Sequence, residues 1–292
     1  MIITVFTPTY NRANTLTRLY KSLCNQTNKE FEWLIINDGS TDETDSLIQT
    51  IIINHNDEFK IRYYKQSNLG LNRTINRAID LALGKLFCRL DSDDYATNDM
   101  IESINRNYCK IEHNSKLCAL VFLSLKPDGS LNGTHPFIET TQTNFNEYRD
   151  KYKATGDRSE VVKTEIYKKF KFPEIKNENF ITESIVWNRM AKNYDALYLN
   201  KAIYVKGDGE DTITSKIYLT NKRCSKGVTL FYYEVMSNQN FSTKFRIIHA
   251  IKYYRYAFYA KANIFKGIKP LFVLIGLPIG TLVALFDLIK HK

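Results

Sequence analysis

The sequence predicts an α/β protein built around one doubly wound, mostly parallel sheet. In roughly the first 100 residues, short apolar segments alternate with segments whose apolar residues recur at helical spacing. Polar residues collect directly after each short apolar segment. Strands of a parallel sheet are buried on both faces and read as near-continuous apolar runs. Because ligands bind beyond the carboxyl ends of such strands, the pattern also predicts a single ligand-binding edge.

The individual strands and helices follow from the spacing of apolar residues. The first four strands are predicted at 2–6, 31–36, 61–65 and from residue 86 onward. Three helices lie between them, with apolar faces that carry Leu16 and Leu23, Ile48 and Ile52, and Ile75 and Ile79. Ser40 and Glu43 have the spacing of a capping box and predict the start of the second helix. Residues 196–205 are predicted to form a closing strand.

Three aspartates follow the fourth strand within four positions: Asp91, Asp93 and Asp94. Carboxylates this close repel each other unless a cation neutralises them, and closely spaced oxygen ligands suit Mg²⁺ or Mn²⁺. Taken alone, the segment also fits a solvated acidic turn.

Several classes of protein are disfavoured. No Gly-x-Gly-x-x-Gly segment follows the first strand and no Gly-Lys-Ser/Thr loop occurs, which argues against a dinucleotide-dependent oxidoreductase and a P-loop nucleotidase. The five cysteines are odd in number and lack paired metal-ligand spacing, which fits a reducing compartment.

The C-terminal part of the chain is basic. From residue 201 onward, 15 Lys and Arg oppose five acidic residues, so the net charge of +10 resides there. Residues 245–265 mix aromatic residues with cations, and residues 271–286 carry no charge. A basic tail predicts an anionic partner. Since an uncharged run has no use in binding nucleic acid, we expect an anionic membrane surface instead.

The uncharged run is short for a membrane span. At 1.5 Å per residue its 16 residues reach about 24 Å, less than a hydrocarbon core of about 30 Å. Gly276, Pro278 and Gly280 interrupt it. We therefore expect a shallow or re-entrant anchor. A single span, a buried C-terminal helix and a homodimer contact are the alternatives.

Four segments together resemble one known family. Thr-Pro-Thr-Tyr-Asn-Arg at 7–12, Asn-Asp-Gly-Ser-Thr-Asp at 37–42, Asn68 to Asn76, and Asp-Ser-Asp-Asp at 91–94 are similar in order and spacing to family 2 glycosyltransferases. The resemblance is dense over roughly the first 100 residues and patchier to about residue 215. It implies an inverting enzyme that uses a nucleotide-sugar as co-substrate and has a single Rossmann-like sheet of the GT-A type.

The resemblance implies that residues after the first two strands hold the nucleotide base. Thr7, Tyr10 and Arg12 would line the base, with Tyr10 stacking on it. Asp38 would accept a hydrogen bond from the ring N–H of uracil, which favours a UDP-sugar. Alternatively, Asp38 opens a turn and Tyr10 packs on the sheet edge. The full implied donor-binding set is Thr7, Pro8, Tyr10, Arg12, Asp38, Asn68, Arg73, Asp91 and Ser92.

The resemblance also implies roles for the third and fourth loops. Many relatives carry Arg immediately before the Asn that matches Asn76, but Ile75 stands there, so Arg73 is either the basic substitute or a solvated helix residue. Asp93 would ligate the Mn²⁺ or Mg²⁺ at the diphosphate, and Asp91 would bind the ribose or the metal. Asp94 matches an acidic position that is less often a ligand and could instead cap the following helix.

Glu183 is the catalytic base that the resemblance implies. An inverting transfer needs a base on the sugar face opposite the leaving group. Relatives carry an acidic pair at the start of a helix here, whereas this chain has Glu183 followed by Ser184, with Arg189 further on. A helix N-terminus would keep Glu183 ionised. Glu183 could instead only complement the helix dipole, and Glu178 is the second candidate base.

We therefore expect a catalytic nucleotide-sugar-binding domain over 1–215 and a basic helical extension with an apolar membrane anchor over 216–292. The predicted function is transfer of a sugar to a glycan or lipid-linked acceptor in bacterial cell-surface polysaccharide synthesis. The enzyme would attach, peripherally or monotopically, to the cytoplasmic face of the inner membrane, and could form a homo-oligomer. The alternatives are a nucleotidyltransferase and a non-catalytic membrane-bound adaptor with a decayed nucleotide site.

Overall fold

The structure of the chain, a computed structural model, describes residues 2–207 and 217–290. It divides into two compact units. Within the described residues, the first unit comprises residues 2–145, 153–171 and 190–207, and the second comprises 146–152, 172–189 and 217–290. The domain boundary predicted at residue 215 lies outside the described residues.

One mixed sheet of nine strands organises the described part of the chain. The strands are β1 (Ile3–Thr9), β2 (Phe31–Asn37), β3 (Lys60–Lys65), β4 (Leu86–Arg89), β5 (Tyr95–Ala96), β6 (Leu117–Leu125), β7 (Thr141–Thr143), β8 (Arg158–Lys163) and β9 (Asp195–Val205). Their order is β3-β2-β1-β4-β8-β6-β9-β5, and β7 pairs with β9. The α/β fold class and the closing strand predicted from the sequence are confirmed.

The first four strands form the parallel part of the sheet. β1 pairs in parallel with both β2 and β4, and β2 pairs in parallel with β3. β8 then lies antiparallel between β4 and β6, and β6 pairs in parallel with β9. The polar loops after β1, β2, β3 and β4 therefore leave the sheet at the same edge.

Helices cover the sheet and form most of the second unit. The described helices are α1 (Ala13–Cys24), α2 (Thr44–Asn54), α3 (Leu71–Leu81), α4 (Met100–Glu112), α5 (Phe145–Asp150), α6 (Thr164–Tyr167), α7 (Ser184–Met190), α8 (Ile217–Arg223), α9 (Ser225–Ser237), α10 (Thr243–Ala260) and α11 (Pro270–Lys290).

The core of the first unit follows from the strand sequences. Every residue of β2 is buried, and the Trp33 ring stacks on Tyr20 of α1 with ring centroids 5.8 Å apart. Glu32 is also fully buried, but its carboxylate is satisfied. It accepts hydrogen bonds from the Thr4 hydroxyl and the Leu83 N–H and pairs with Arg62 at 3.0 Å. A buried charge is tolerated when it is paired in this way.

The capping box predicted for α2 and the alternative capping role of Asp94 are not observed. The capping box is absent: α2 begins at Thr44, and the Ser40 hydroxyl accepts instead from the backbone N–H of Asn11 at 2.9 Å. Asp94 does not cap α4, because α4 begins at Met100 and Asp99 precedes it. In both cases the polar side chain bonds a distant segment of chain rather than its own helix.

The C-terminal extension also differs from the prediction. One face of α10 packs in the core of the second unit, with Tyr253, Tyr254 and Tyr256 buried, whereas Lys252 and Phe258 of the same helix are exposed. The apolar run belongs to α11, a continuous helix of 21 residues. Its length of about 31 Å removes the argument that the run is too short. Among the described residues, one helix is long and apolar enough to cross a membrane, at Pro270–Ile289.

Candidate donor-binding site

The ends of the first three parallel strands lie side by side. In the sheet register, Thr9 of β1 is opposite Asn37 of β2, and Asn37 is opposite Lys65 of β3. The loops that follow are joined by backbone bonds: the Asp38 N–H donates to the Thr9 carbonyl, and the Gln66 N–H donates to the Asn37 carbonyl. The predicted ligand edge is therefore a continuous surface of loops.

The first two loops also bond each other through side chains. The Asn11 side chain accepts from the Thr41 N–H at 2.8 Å, and the Thr44 hydroxyl accepts from the Arg12 N–H at 2.9 Å. Gly39 has a φ of +82°, and a Cβ there would lie 2.7 Å from the backbone nitrogen of Asn68. Glycine is required because the second and third loops approach this closely.

Asp38 is the organising carboxylate of this edge. It is 6% exposed and accepts three hydrogen bonds: from Gln66 Nε2 at 2.7 Å, the Leu69 N–H at 2.9 Å and the Gly70 N–H at 2.8 Å. Because a carboxylate has about four acceptor positions, one position remains. Asp38 therefore holds the 66–70 loop against β2 and retains the capacity to accept one bond from a ligand.

The other predicted residues of the first loop differ in accessibility. Tyr10 is 46% exposed, so its ring is available for stacking. Pro8 is half-buried. Thr7 is fully buried, and its hydroxyl accepts from the Trp33 indole N–H at 3.0 Å. The Thr7 side chain is therefore part of the sheet, and only Tyr10 and Pro8 offer surface at the end of β1.

The third loop brings two arginines toward the same edge. Asn68 is exposed, and Arg73 is half-buried with Nη1 3.3 Å from the Leu69 carbonyl. Arg77, one turn further along α3, donates to Gln66 Oε1 at 2.7 Å. Gln66 thus links Arg77 to Asp38.

The acidic loop after β4 is surrounded by cations. Arg89 forms a two-point ion pair with Asp91, at 2.8 and 2.9 Å. Arg12 Nη2 lies 4.0 Å from the Asp93 carboxylate, and Arg18 donates to the Asp93 backbone carbonyl at 2.6 Å. The loop after β1 and the loop after β4 therefore meet at Asp93.

Asp94 turns away from the loop surface. It is 8% exposed, and its Oδ1 accepts from the backbone N–H of Gly207 at 2.9 Å. Burial raises the pKa of Asp94 to about 7, and the nearby charges of Asp91 and Asp93 add to the effect. Ser92 is 5% exposed. The loop therefore alternates, with Asp91 and Asp93 toward solvent and Ser92 and Asp94 inward.

The donor set of this loop fits a divalent ion that a diphosphate would complete. The side chains of Asp91 and Asp93 are 35% and 20% exposed, although the Oδ1 atom of Asp91 is itself buried. Within residues 2–207 and 217–290, no group of three or more His, Cys, Asp or Glu residues is arranged to hold a metal. Mg²⁺-type ions are commonly held by one or two carboxylates together with substrate phosphates, which is what two aspartates provide.

Glu183 belongs to the second unit and directly precedes α7. It is half-buried, and its backbone carbonyl accepts from the Val186 N–H at 2.9 Å. Arg189 pairs with Glu234 of α9 through two contacts, at 2.6 and 3.0 Å. Glu178 accepts from the N–H groups of Lys226 and Gly227 at the start of α9, both at 2.8 Å. Glu178 is therefore a helix cap.

The sequence pattern missed four residues of this edge. Gln66, Arg18, Arg89 and Gly207 each contact a predicted site residue. Gln66 and Arg89 lie at or directly after strand ends, so the rule that identified Asp38 could have found them. Arg18 and Gly207 carry no local signal, because Arg18 bonds Asp93, 75 positions away, and Gly207 bonds Asp94, 113 positions away in the chain.

Comparison with known proteins supports one family. The profile described as Glycosyl transferase family 2 matches residues 4–175, more than half of the chain. The chain is 34% identical over 133 residues to a protein named chondroitin synthase of Pasteurella multocida, which covers 44% of this chain and 13% of that protein. This chain therefore spans a small part of that relative.

Two further similarities extend over more of the chain. A Campylobacter jejuni protein named GalNAc(5)-diNAcBac-PP-undecaprenol beta-1,3-glucosyltransferase is 26% identical over 209 residues, covering 70% of this chain and 63% of that protein. The crystal structure of S. aureus TarS 1-349 in complex with UDP-GlcNAc superposes with a TM-score of 0.65 over 88% of this chain and 73% of that chain, at 20% identity. The chain belongs to glycosyl transferase family 2 and has the GT-A fold.

Proposed function

We propose that the enzyme transfers a sugar from a UDP-sugar, with inversion, to a hydroxyl of a glycan or lipid-linked acceptor in bacterial surface-polysaccharide synthesis. The observation that carries the proposal is the meeting of the loops after β1 and β4, where Arg12 lies 4.0 Å from Asp93. The names of the relatives support it, since they refer to polysaccharide synthesis and to an undecaprenol-linked acceptor.

The base of the donor would lie on the surface formed by Tyr10, Pro8 and Asp38. Tyr10 presents a ring for stacking, and Asp38 has one acceptor position left for the ring N–H of uracil. Thr7 acts indirectly, since its hydroxyl holds Trp33. Asn68, exposed in the third loop, and Arg73 would approach the nucleotide from β3.

Asp93 and Asp91 would hold a Mn²⁺ or Mg²⁺ ion. When bound, the ion would neutralise the negative charge that develops on the leaving nucleoside diphosphate. Asp91 must exchange part of its pairing with Arg89 for the ion or for the ribose hydroxyls. Asp94, bonded to Gly207, and buried Ser92 would keep the loop in shape for the diphosphate.

Glu183 would accept the proton of the acceptor hydroxyl. An inverting displacement needs a base on the face of the sugar opposite the leaving group, and the acidic loop serves the leaving group. Glu183 is favoured over Glu178, because both oxygens of Glu178 cap α9. Arg189, bonded to Glu234, anchors α7 on α9 and would position Glu183 through the helix.

The enzyme would act at the cytoplasmic face of the inner membrane, attached through its C-terminal helices. The exposed apolar residues of α11 and the basic character of residues beyond 201 support attachment to an anionic surface. This location would give access both to cytosolic nucleotide-sugars and to a lipid-linked acceptor.

A donor panel tests the proposed reaction. Purified protein is incubated with UDP-, GDP- and dTDP-sugars, with Mn²⁺ or with chelator, and release of nucleoside diphosphate is measured. We expect release from a UDP-sugar only, and only with metal.

Glu183→Gln should lose transfer to an acceptor by at least a factor of about 100, in line with the typical contribution of general-base catalysis, while still binding donor. Unchanged transfer by Glu183→Gln would exclude it as the base and favour a different catalytic residue.

A further inference from the structure

The outward face of α11 is entirely apolar along its full length. Seven large side chains on this face are between 44% and 76% exposed: Leu271, Leu274, Ile279, Leu282, Leu285, Phe286 and Ile289. At 100° per residue they fall within a stripe about 140° wide. An exposed apolar surface of this length marks a contact with a partner or with lipid.

The opposite face of α11 packs closely on α10. A Cβ at Gly276 would lie 2.8 Å from the Tyr254 ring, and one at Gly280 would lie 2.5 Å from the Ile251 carbonyl. Asp287 is 5% exposed and forms two contacts with Arg255, at 2.6 and 2.9 Å. The glycines that interrupt the apolar run therefore allow close helix packing, and the charge near its end is satisfied within the protein.

The two helices run in the same general direction. Phe272 contacts Arg246, Gly276 contacts Tyr254, and Asp287 contacts Arg255, so the contacts advance along both helices together. The connecting segment 261–269 must then return alongside α10. It does so through hydrogen bonds from the Tyr253 and Tyr254 hydroxyls to the carbonyls of Asn263 and Ile264, at 3.0 and 2.7 Å.

This topology is incompatible with a membrane-spanning α11. If α11 crossed the bilayer in this packing, α10 would enter the hydrocarbon beside it, together with Arg246 and Lys252. The return segment 261–269, which is not helical, would enter as well, with three lysines. Irregular backbone exposed to lipid does not occur at membrane depth, and buried cations are costly there.

We infer that α11 lies flat in one leaflet, with its apolar stripe in the acyl boundary and α10 on the aqueous side. Lys261, Lys266 and Lys269 are exposed beside exposed Phe265 in the return segment. This combination fits an anionic headgroup layer. A second copy of the chain packed in parallel on this face would bring the lysines of both copies together, whereas anionic headgroups would neutralise them. The inference rests on the proposed membrane attachment and specifies its geometry.

Depth measurements along α11 test this geometry. Spin labels are attached to Leu274→Cys, Leu282→Cys and Ile289→Cys, each in full-length protein in which the accessible Cys24 and Cys109 are serine. Accessibility to oxygen and to a water-soluble nickel complex is measured on vesicles of phosphatidylcholine and phosphatidylglycerol. We expect all three labels at one shallow depth. A spanning helix would separate the first and last labels by about 22 Å of depth, which would overturn the inference.

Matched substitutions test the lipid contact independently. Ile289→Asp and Leu274→Asp should each weaken vesicle binding about tenfold, as expected from losing the burial of one large aliphatic side chain. Ile53→Asp is the control, because Ile53 on α2 is 80% exposed, like Ile289 at 76%.

In the depth measurement, spin labels shielded from both oxygen and the nickel complex would instead identify a protein–protein contact and contradict the inference. Donor hydrolysis without vesicles reports separately on the proposed reaction, so failure of either proposal is recognised.

Discussion

Asp38 combines a structural and a binding role in one side chain. Its carboxylate receives two N–H groups and an amide from residues 66, 69 and 70, all within a buried corner of the ligand edge. The remaining acceptor position is the one proposed for the base. A substitution here therefore affects the loop before it affects the ligand.

Asp38→Asn should lose stability as well as donor binding. The amide NH₂ would face at least one N–H donor, and a buried donor left unsatisfied costs about 1–3 kcal/mol. Urea unfolding measures the stability, and titration with UDP measures the binding. Asp128→Asn, at an exposed turn that bonds only Ser130, serves as the control and should change neither. Loss of binding with unchanged stability would show that Asp38 is a ligand contact alone.

At the scale of elements, the end of β9 supports the acidic loop. Gly207 donates its N–H to Asp94, and Lys206 pairs with Asp157 of the loop before β8. Although burial lowers the pKa of Lys206, the Asp157, Asp94 and Asp91 carboxylates raise it above its ordinary value. The residues that follow β9 therefore stabilise the acidic loop, although they lie far from it in the sequence.

Gly207→Ala should impair the binding of nucleoside diphosphate with metal. A Cβ at this position would lie 1.8 Å from the Asp93 carbonyl oxygen and 2.8 Å from its carbonyl carbon, so the loop backbone must move. We expect at least about a tenfold loss of affinity, equivalent to about 1.4 kcal/mol. Gly129→Ala is the control for binding: a Cβ there meets nothing within 4 Å, and the strain at its φ of +82° falls in a turn at residues 126–130 rather than in the acidic loop. Equal affinities of the wild type and Gly207→Ala for nucleoside diphosphate would show that the contact of Gly207 with the acidic loop does not influence binding.

The fold of α10 predicts a dependence of stability on pH. His249 is 9% exposed, and burial lowers its pKa to about 4. In the unfolded chain His249 binds a proton with its ordinary pKa of 6.5. The folded state, which holds the neutral side chain, therefore has its full stability above pH 6.5 and loses stability as the pH falls toward 4. The loss is about 3 kcal/mol.

His249→Phe should therefore lose less stability than the wild type between pH 7 and pH 4, by about 3 kcal/mol. Urea unfolding at both pH values measures the difference. His113→Phe, whose native side chain is 92% exposed, is the control and should follow the wild type. An identical pH dependence for His249→Phe and the wild type would contradict a neutral, buried His249.

Strand positions could be read from the sequence because each of the first four strands is a local apolar run. β8 could not be positioned in the same way, since its antiparallel placement between β4 and β6 depends on pairing with residues 35 to 77 positions away. Ser40 shows the same limit for a side chain. Its local spacing predicts a helix cap, but its hydroxyl bonds Asn11 in the neighbouring loop.

At the scale of the whole molecule, the uneven distribution of charge along the sequence follows the division of the chain into two units. The first unit carries the strand-end loops, whereas the basic residues beyond 216 belong to the second unit with its exposed α11. The sequence predicted a membrane-directed tail. It could not predict that α11 would present a long exposed apolar face while α10 buries more of its residues, because both helices are rich in large apolar residues and only packing distinguishes them.

The central claim is that the loop after β4 binds the donor diphosphate with a divalent ion. Calorimetric titration of the full chain with UDP, in Mn²⁺ and in chelator, tests it most directly. We predict that Asp93→Ala lowers the affinity in Mn²⁺ at least about tenfold, and that chelator lowers the wild type to the level of this variant. Asp128→Ala, an exposed aspartate in a surface turn, should match the wild type. Binding of UDP by Asp93→Ala with the wild-type affinity and Mn²⁺ dependence would contradict the claim.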